Sequence, residues 1–434
     1  MVENFSRRLL MIPHDVNYLK LNVGQNKLNV ITVNIPNAPR VSIDVFADVG
    51  SSNELDTEHG YAHFLEHCRF KSTATRSTQE IAKAVEITGA YFNAYTGNDH
   101  TCYYAVGLND TLKTLIEVLS DITCNSIFPE DEIERERDVV IQEMRMYQDD
   151  INNVAFESMY AAAYGLQPKG HKIIGNVKTI ESVTRQNVID FSNKHYNSET
   201  ITVVVSGDLD TKMVEDMLVK YFYNIAPAAS RLIVDTKSKF FSQAKIINKD
   251  FDHLSAIIGF GMDGKLSNEL VSLAAESLGE GMSSPLFQEV REKQGLVYRV
   301  SSSNNPDRFY NEFTFEYETT ADKNDKCLET IGSLIKHVND FVTADDILRA
   351  RNKMLAQYAI VSESPHSLAQ YYGSNKVVFN ETIHLSEKIQ QIKNISIEDV
   401  RNVLDMLKTT NVAIGICGPI DENTPVHETF KASM

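Results

Sequence analysis

Two histidines and a glutamate in the segment His63-Phe64-Leu65-Glu66-His67 have the spacing of a metal site. Positions i and i+4 lie on one face of a helix, so His63 and His67 can both reach one ion. Two neutral imidazoles make half of a tetrahedral zinc site, and Glu66 borders the same face. Glu66 is placed to take a proton from an attacking water rather than to bind the metal. The order H-x-x-E-H reverses the commoner H-E-x-x-H pattern.

A catalytic zinc needs a third protein ligand, and the segment ERERDVVIQEM at 134–144 offers one. Glu136, Val140, Glu143 and Tyr147 are spaced by four, three and four residues, so they share one helical stripe. The alternative for both motifs is a solvated helix face. Carboxylates on a stripe with aliphatic and aromatic neighbours favour the metal site, because a nearby ion or histidine offsets their desolvation. We predict Glu143 as the third ligand and Glu136 as an acceptor that orients a ligand histidine.

Alternating strand patterns and helical patterns surround these motifs and position them. Strands are predicted at 30–35, 41–49, 91–96 and 101–106, and helices at 59–70, 78–88, 111–124 and 129–147. One unit occurs twice: a helix and a strand that end in Gly-x-x-Asp, at 187–210 and again at 397–421. Chance similarity is the alternative. The repeat predicts two α+β halves, at 1–226 and 240–434, joined by a linker at 227–239.

Composition excludes several classes of protein. The chain has 434 residues and a net charge of −17, which argues against nucleic-acid binding and favours basic peptides as partners, unless the charge only gives solubility. No apolar run is long enough to span a bilayer, so no membrane insertion is expected. The five cysteines form no C-x-x-C pair, which is typical of thiols in a reducing soluble compartment, either a mitochondrial-type matrix or a bacterial-type cytoplasm.

The sequence resembles the M16 (inverzincin) metallopeptidase family over nearly its whole length. The resemblance rests on HGYAHFLEHCRFKST at 59–73, YFNAYTGNDHTCYYA at 91–105, ERERDVVIQEM at 134–144 and GEGMSSPLFQEVREKQGLVYRV at 279–300. It is nearest to the M16B type, which includes the β subunit of the mitochondrial processing peptidase and short bacterial members. The family's third zinc ligand lies 76 residues after the second histidine, which here is Glu143.

The resemblance also implies roles for residues outside the metal motif. It implies that substrate pairs with the strand edge at Asn93 and Ala94 and contacts Phe64, and that Arg291 and Tyr298 contact substrate from the second half. Processing-peptidase β subunits read arginine with two acidic residues beyond the third ligand. Here those positions are Asn153 and Glu157, so the arginine requirement is expected to be looser.

Together these patterns predict an α+β protein of the LuxS/M16 metalloenzyme type, whose two halves face each other as a clamshell chamber. The expected activity is zinc-dependent endopeptidase cleavage of extended, basic peptides, with one zinc ion per chain and Glu66, Arg291 and Tyr298 as catalytic residues. The alternative is a non-catalytic scaffold subunit of the same fold. Homodimer, heterodimer with a related subunit and monomer all stay open.

Overall fold

A computed structural model describes residues 12–228 and 237–434, so most of the predicted linker at 227–239 lies outside the described residues. Within the described ranges, eleven strands form two sheets. The strands are β1 Asp15–Val23, β2 Asn26–Asn34, β3 Arg40–Ala47, β4 Tyr91–Thr96, β5 Thr101–Leu108, β6 Ile201–Gly207, β7 Ala244–Asn248, β8 Leu254–Asp263, β9 Arg299–Pro306, β10 Tyr310–Thr319 and β11 Val412–Gly418.

Helices occupy most of the remaining described chain. They are α1 Tyr61–Arg69, α2 Thr78–Glu86, α3 Leu112–Cys124, α4 Glu130–Asp149, α5 Ile151–Tyr164, α6 Val177–Ser182, α7 Arg185–His195, α8 Thr211–Tyr221, α9 Asn268–Gly279, α10 Asn324–Lys336, α11 Val338–Phe341, α12 Ala344–Ser362, α13 Pro365–Phe379, α14 Leu385–Asn394, α15 Ile397–Met406 and α16 Val426–Ser433. A π-helical turn spans Phe287–Glu292. No helix in the described ranges is long and apolar enough to cross a membrane.

The two sheets share one topology, which confirms the predicted pair of homologous α+β halves. The first sheet has the order β1-β2-β6-β3-β5-β4 and the second β7-β11-β8-β10-β9. The last strand of the first half, β6, pairs parallel to β2 and antiparallel to β3, and the last strand of the second half, β11, pairs parallel to β7 and antiparallel to β8. Gly207 and Gly418, which close the repeated unit, adopt nearly the same φ of 147° and 148°. Among the described strands, β1 of the first sheet has no counterpart in the second.

The chain folds into two compact units that are discontinuous in sequence. The first holds the described residues up to Met144, then 171–228 and Tyr358–His384. The second holds Arg145–Gly170, Lys237–Gln357 and Leu385–Met434. Helix α5, from the N-terminal half of the sequence, therefore packs on strands of the second sheet, whereas α13, from the C-terminal half, packs on the first sheet. The predicted boundaries at 226 and 240, and the chamber between the halves, stay predictions.

Glycines allow both of these helices to approach a sheet closely. A Cβ atom built on Gly373 of α13 would lie 2.1 Å from the Phe46 ring on β3. In the second sheet the glycine is on the strand instead. A Cβ on Gly415 of β11 would lie 2.1 Å from the backbone nitrogen of Met159 on α5. Side chains at these positions would push each helix off its sheet.

Candidate metal centre

Helix α1 carries the H-x-x-E-H motif. It is held in place by the packing of its apolar face and by a hydrogen bond at its C-terminal end. Phe64 and Leu65 lie in the core of the first unit, which fixes the opposite face of the helix. His63 and His67 share that opposite face, with their ring centroids 4.7 Å apart. Arg69 at the helix end donates to the carbonyl of Ile122 at 2.9 Å. The helix therefore presents its two imidazoles from a rigid base.

Helix α4 brings the predicted carboxylates to the same place. Val140 is fully buried in the core, and Glu136 and Glu143 lie a turn on either side of it. Glu143 Oε2 is 3.3 Å from His67 Nε2 and 3.7 Å from His63 Nε2. A tetrahedral zinc ion with bonds of about 2.1 Å holds its ligand atoms about 3.4 Å apart. Both distances to Glu143 Oε2 are close to that separation, and the three ligand atoms all lie within 4.8 Å of one another.

A hydrogen-bonded chain behind the site orients His67. Its Nδ1 lies 3.1 Å from Glu136 Oε2, and Lys71 Nζ lies 2.6 Å from the other oxygen of Glu136. Because Nδ1 donates to this carboxylate, Nε2 is the ring nitrogen that can bind a metal once the imidazole is neutral. His63 has no such acceptor at Nδ1 among the described residues, so only His67 has its ring fixed in this way.

The pKa values of His63, His67 and Glu143 reflect the burial and the charges around the candidate metal position. Burial, with a smaller effect of His67, lowers the pKa of His63 to about 4. Burial also disfavours the charged form of His67, but hydrogen bonds to Glu136 and Glu143 outweigh it and raise the pKa to about 9. The hydrogen bond from His67 lowers the pKa of Glu143. The proton on His67 thus stabilises the close approach of His63, His67 and Glu143, which a bound cation would also stabilise.

The donor set fits a zinc ion. Glu143 Oε2 is buried and meets no hydrogen-bond partner of good geometry in the described part of the chain. A buried carboxylate oxygen that lies near two imidazole nitrogens without a well-aligned hydrogen bond is costly unless a cation or proton is shared there. These three residues are one of two groups of potential metal ligands in the described ranges whose ligand atoms all lie within 4.8 Å of one another. The predicted ligands His63, His67 and Glu143 are thus brought together.

Glu66 lies beside this group and is held by the end of strand β4. The Thr96 hydroxyl donates to Glu66 Oε2 at 2.5 Å. Burial raises the pKa of Glu66, and this hydrogen bond opposes the shift only in part. A carboxylate with a raised pKa next to a metal site is suited to carry a proton. Its position is that predicted for a general base.

Strand β4, which ends at Thr96, forms one edge of the first sheet. β4 is the outermost strand and pairs only with β5, so its other edge has no strand partner in the described sheet. Asn93 and Ala94 lie on it, and Asn93 Oδ1 accepts a hydrogen bond from the Ala94 amide at 2.8 Å. An open edge is the surface to which an extended peptide adds as a strand.

The remaining predicted residues lie elsewhere. Phe64 is 1% exposed and packs in the core, so the prediction that it contacts substrate gains no support from its position. Glu157 is half-buried on α5 in the second unit. Arg291 and Tyr298 lie together in that unit, with the Arg291 guanidinium 5.5 Å from the Tyr298 ring centroid. Tyr298 is 81% exposed and lines a cavity of about 490 Å³.

Sequence reasoning missed three residues that support the site. Thr96 holds Glu66, Lys71 holds Glu136, and Glu54 accepts hydrogen bonds from the amides of Gly60 and Ala62 at the start of α1, both at 2.8 Å. Thr96 and Glu66 are 30 positions apart in the chain, and Lys71 and Glu136 are further apart. Glu54 could have been found as an acidic residue just before a helix N-terminus, where a carboxylate is favoured.

Two family models match the chain. The model described as "Insulinase (Peptidase family M16)" matches residues 29–177, and the one described as "Peptidase M16 inactive domain" matches residues 182–354. The first contains every residue of the candidate metal centre. The second covers parts of both sheets and none of the proposed ligands.

Similar proteins cover almost the whole chain. A protein of Rickettsia bellii named "Uncharacterized zinc protease" is 32% identical over 398 residues, covering 91% of this chain and 96% of its own length. The Bacillus subtilis "zinc protease YmxG" is 27% identical over 405 residues, covering 92% and 98%. The crystal structure of a Helicobacter pylori protease has a TM-score of 0.85 at 23% identity, covering 93% of this chain and all of that one. The chain therefore belongs to peptidase family M16.

Proposed function

We propose that the protein is a zinc-dependent endopeptidase whose zinc is held by His63, His67 and Glu143. The observation that carries this proposal is the convergence of His63 Nε2, His67 Nε2 and Glu143 Oε2, with the Glu66 carboxyl group beside them. The names of the two bacterial relatives support the metal and the reaction class. These residues would hold a zinc ion that, when bound, would supply Lewis-acid activation of a water near neutral pH.

Glu66 carries the proton in this mechanism. It accepts the proton of the attacking water and then gives it to the leaving amine, which requires a carboxyl group that is neither too acidic nor fixed as an anion. Burial of Glu66 raises its pKa in that direction, and Thr96 keeps its Oε2 in one position. Glu136 and Lys71 keep His67 turned so that Nε2 stays aimed at the metal position.

Extended peptides are the proposed substrates. The substrate backbone adds to the open edge of β4 at Asn93 and Ala94. Strand β4 ends at Thr96, which lies beside Glu66. Arg291 and Tyr298, which lie together, are proposed as further substrate-contacting residues. The net charge of −17 favours basic peptides over acidic ones, because a charged cleft concentrates ligands of the opposite sign.

Glu66→Gln tests the mechanism. The amide keeps the shape of the side chain but cannot carry the proton, so we expect turnover of a quenched-fluorescence peptide to fall by about 10²–10⁴-fold. Zinc content, measured by mass spectrometry, should stay at the wild-type value. Glu134→Gln, an exposed change on α4, is the matched control and should behave as wild type. Normal turnover by zinc-loaded Glu66→Gln would refute this role.

A non-catalytic scaffold of the same fold is the second candidate. The neighbour from Pseudomonas fluorescens titled a "peptidase M16 inactive domain" has a TM-score of 0.82 at 20% identity, so the fold alone does not require activity. The intact set of His63, Glu66, His67 and Glu143 favours the enzyme. Zinc binding without cleavage of any peptide in a mixed-sequence library would favour the scaffold.

A further inference from the structure

A second group of metal-type side chains lies just before helix α1. The ligand atoms of Glu54, His59 and His171 all lie within 4.8 Å of one another. The rings of His59 and His171 meet edge to face, with centroids 4.1 Å apart. Two imidazole nitrogens and one carboxylate oxygen are the donors that zinc and neighbouring divalent transition metals take in proteins. This group shares no residue with the candidate metal centre.

Glu54 is a fixed and buried donor. It is 1% exposed, and its two oxygens accept the amide protons of Gly60 and Ala62. A carboxylate has about four acceptor positions, so these bonds leave lone pairs for a further partner. Burial raises the pKa of Glu54, and the nearby charge of Glu58 adds to that shift. A bound cation would reverse this desolvation cost.

A contact between two glycines fixes the two histidine-bearing segments against each other. Gly60 follows His59, and Gly175 lies four residues after His171. A Cβ on Gly60 would lie 2.7 Å from the carbonyl oxygen of Ile174, and a Cβ on Gly175 would lie 2.5 Å from that of His59. Both glycines have positive φ, 90° and 79°. The backbones are therefore in direct contact, and both histidines approach Glu54 from preset positions.

We propose that Glu54, His59 and His171 bind a second divalent transition-metal cation of the zinc type. The side chains would need to converge by at most about 1.4 Å to reach the separation of about 3.4 Å that a tetrahedral ion imposes. Such an ion would tie the segment at 171–175 to the first turn of α1. Its role is structural: it holds the start of the helix that carries His63, Glu66 and His67, without taking part in the reaction.

Counting bound metal on the full-length chain tests this proposal. The chain is stripped with a chelator, dialysed, and titrated with Zn²⁺, and with Co²⁺ for its visible absorption. Wild type should bind two equivalents, His171→Ala one, and the double variant His63→Ala/His67→Ala also one. A wild-type stoichiometry of one, or a double variant that binds none, would overturn the proposal whether or not the protein is a peptidase.

Thermal unfolding separates metal loss from misfolding. His59→Asn provides a second variant if His171→Ala does not fold. Zinc should raise the melting temperature of His63→Ala/His67→Ala, and this rise should vanish when His59→Asn is added to it. In excess chelator the chains with and without His59→Asn should melt alike. If the zinc-induced rise persists without His59, the ion binds elsewhere and the assignment is wrong.

Discussion

Zinc should displace one proton from the site when it binds at pH 7. The two histidines differ sharply, because the pKa of His63 is lowered to about 4 while that of His67 is raised to about 9. At pH 7 the metal-free site therefore holds its proton on His67, between Glu136 and Glu143. Zinc requires neutral imidazole, so this proton must leave.

The magnitude follows from the distance between pH 7 and the pKa of His67. With that pKa at about 9, the protonated form outnumbers the neutral one by about 100 to 1, which weakens apparent zinc binding by about 3 kcal/mol. Because the pKa of His67 is raised, protons compete with zinc at low pH, and the affinity for zinc increases as the pH rises. Between pH 6 and 8 the dissociation constant should fall by about a hundredfold, and above pH 9 it should level off.

Proton release can be read with phenol red in weakly buffered solution while zinc is added. His171→Ala serves as the parent chain, so that the second proposed site does not contribute. We expect about one proton per zinc at pH 7, and fewer in Glu136→Gln, since that change removes the strongest hydrogen bond that raises the pKa of His67. Glu134→Gln should match the parent. Zinc binding at pH 7 with no proton released would refute the charge arrangement described for this site.

Three further perturbations test other parts of the reasoning. Glu143→Gln should weaken zinc binding by at least about tenfold in competition with a chelating dye, and Glu136→Gln should act more mildly; the reverse order would mean that the ligand was misassigned. Gly373→Ala should lower the free energy of unfolding in urea by about 1–3 kcal/mol, because the added Cβ meets the Phe46 ring at 2.1 Å, whereas Gly97→Ala, whose nearest atom is at 3.5 Å, gives the control value for a glycine with space. Basic peptides should be cut faster than acidic ones of equal length, and the difference should shrink as salt shortens the Debye length from ~10 Å at 0.1 M to ~3 Å at 1 M; equal rates at low salt would exclude electrostatic selection.

Local patterns were enough to predict the elements that carry the metal motif. The strand predicted at 91–96 coincides with β4, and the helix predicted at 59–70 contains α1. In β4 the side chains alternate between exposed and half-buried, and one face of α1 packs on the core. β1 was not predicted, although Leu19, Leu21 and Val23 alternate with polar residues; most residues of this strand are exposed or half-exposed.

Contacts across long stretches of chain were beyond the reach of such patterns. Glu143 could be placed on the right helical stripe, yet nothing local relates Thr96 to Glu66 or Lys71 to Glu136. The packing of α5 and α13 on the sheets was hidden for the same reason. Both helices have weak amphipathic patterns, because each is covered on more than one side. A sequence period reports that a face is buried, but it does not report against which sheet.

The placement of α5 and α13 has a consequence for synthesis of the chain. The face of the first sheet that carries Phe46 lacks its covering helix until residues 365–379 have left the ribosome, long after β1 to β6 are complete. During that time the apolar face around Phe46 has only water or a chaperone to meet it. A fragment ending near residue 226 would keep all three proposed zinc ligands and still be poorly soluble. The two halves should become soluble together when they are co-expressed, because each supplies the helix that the other lacks.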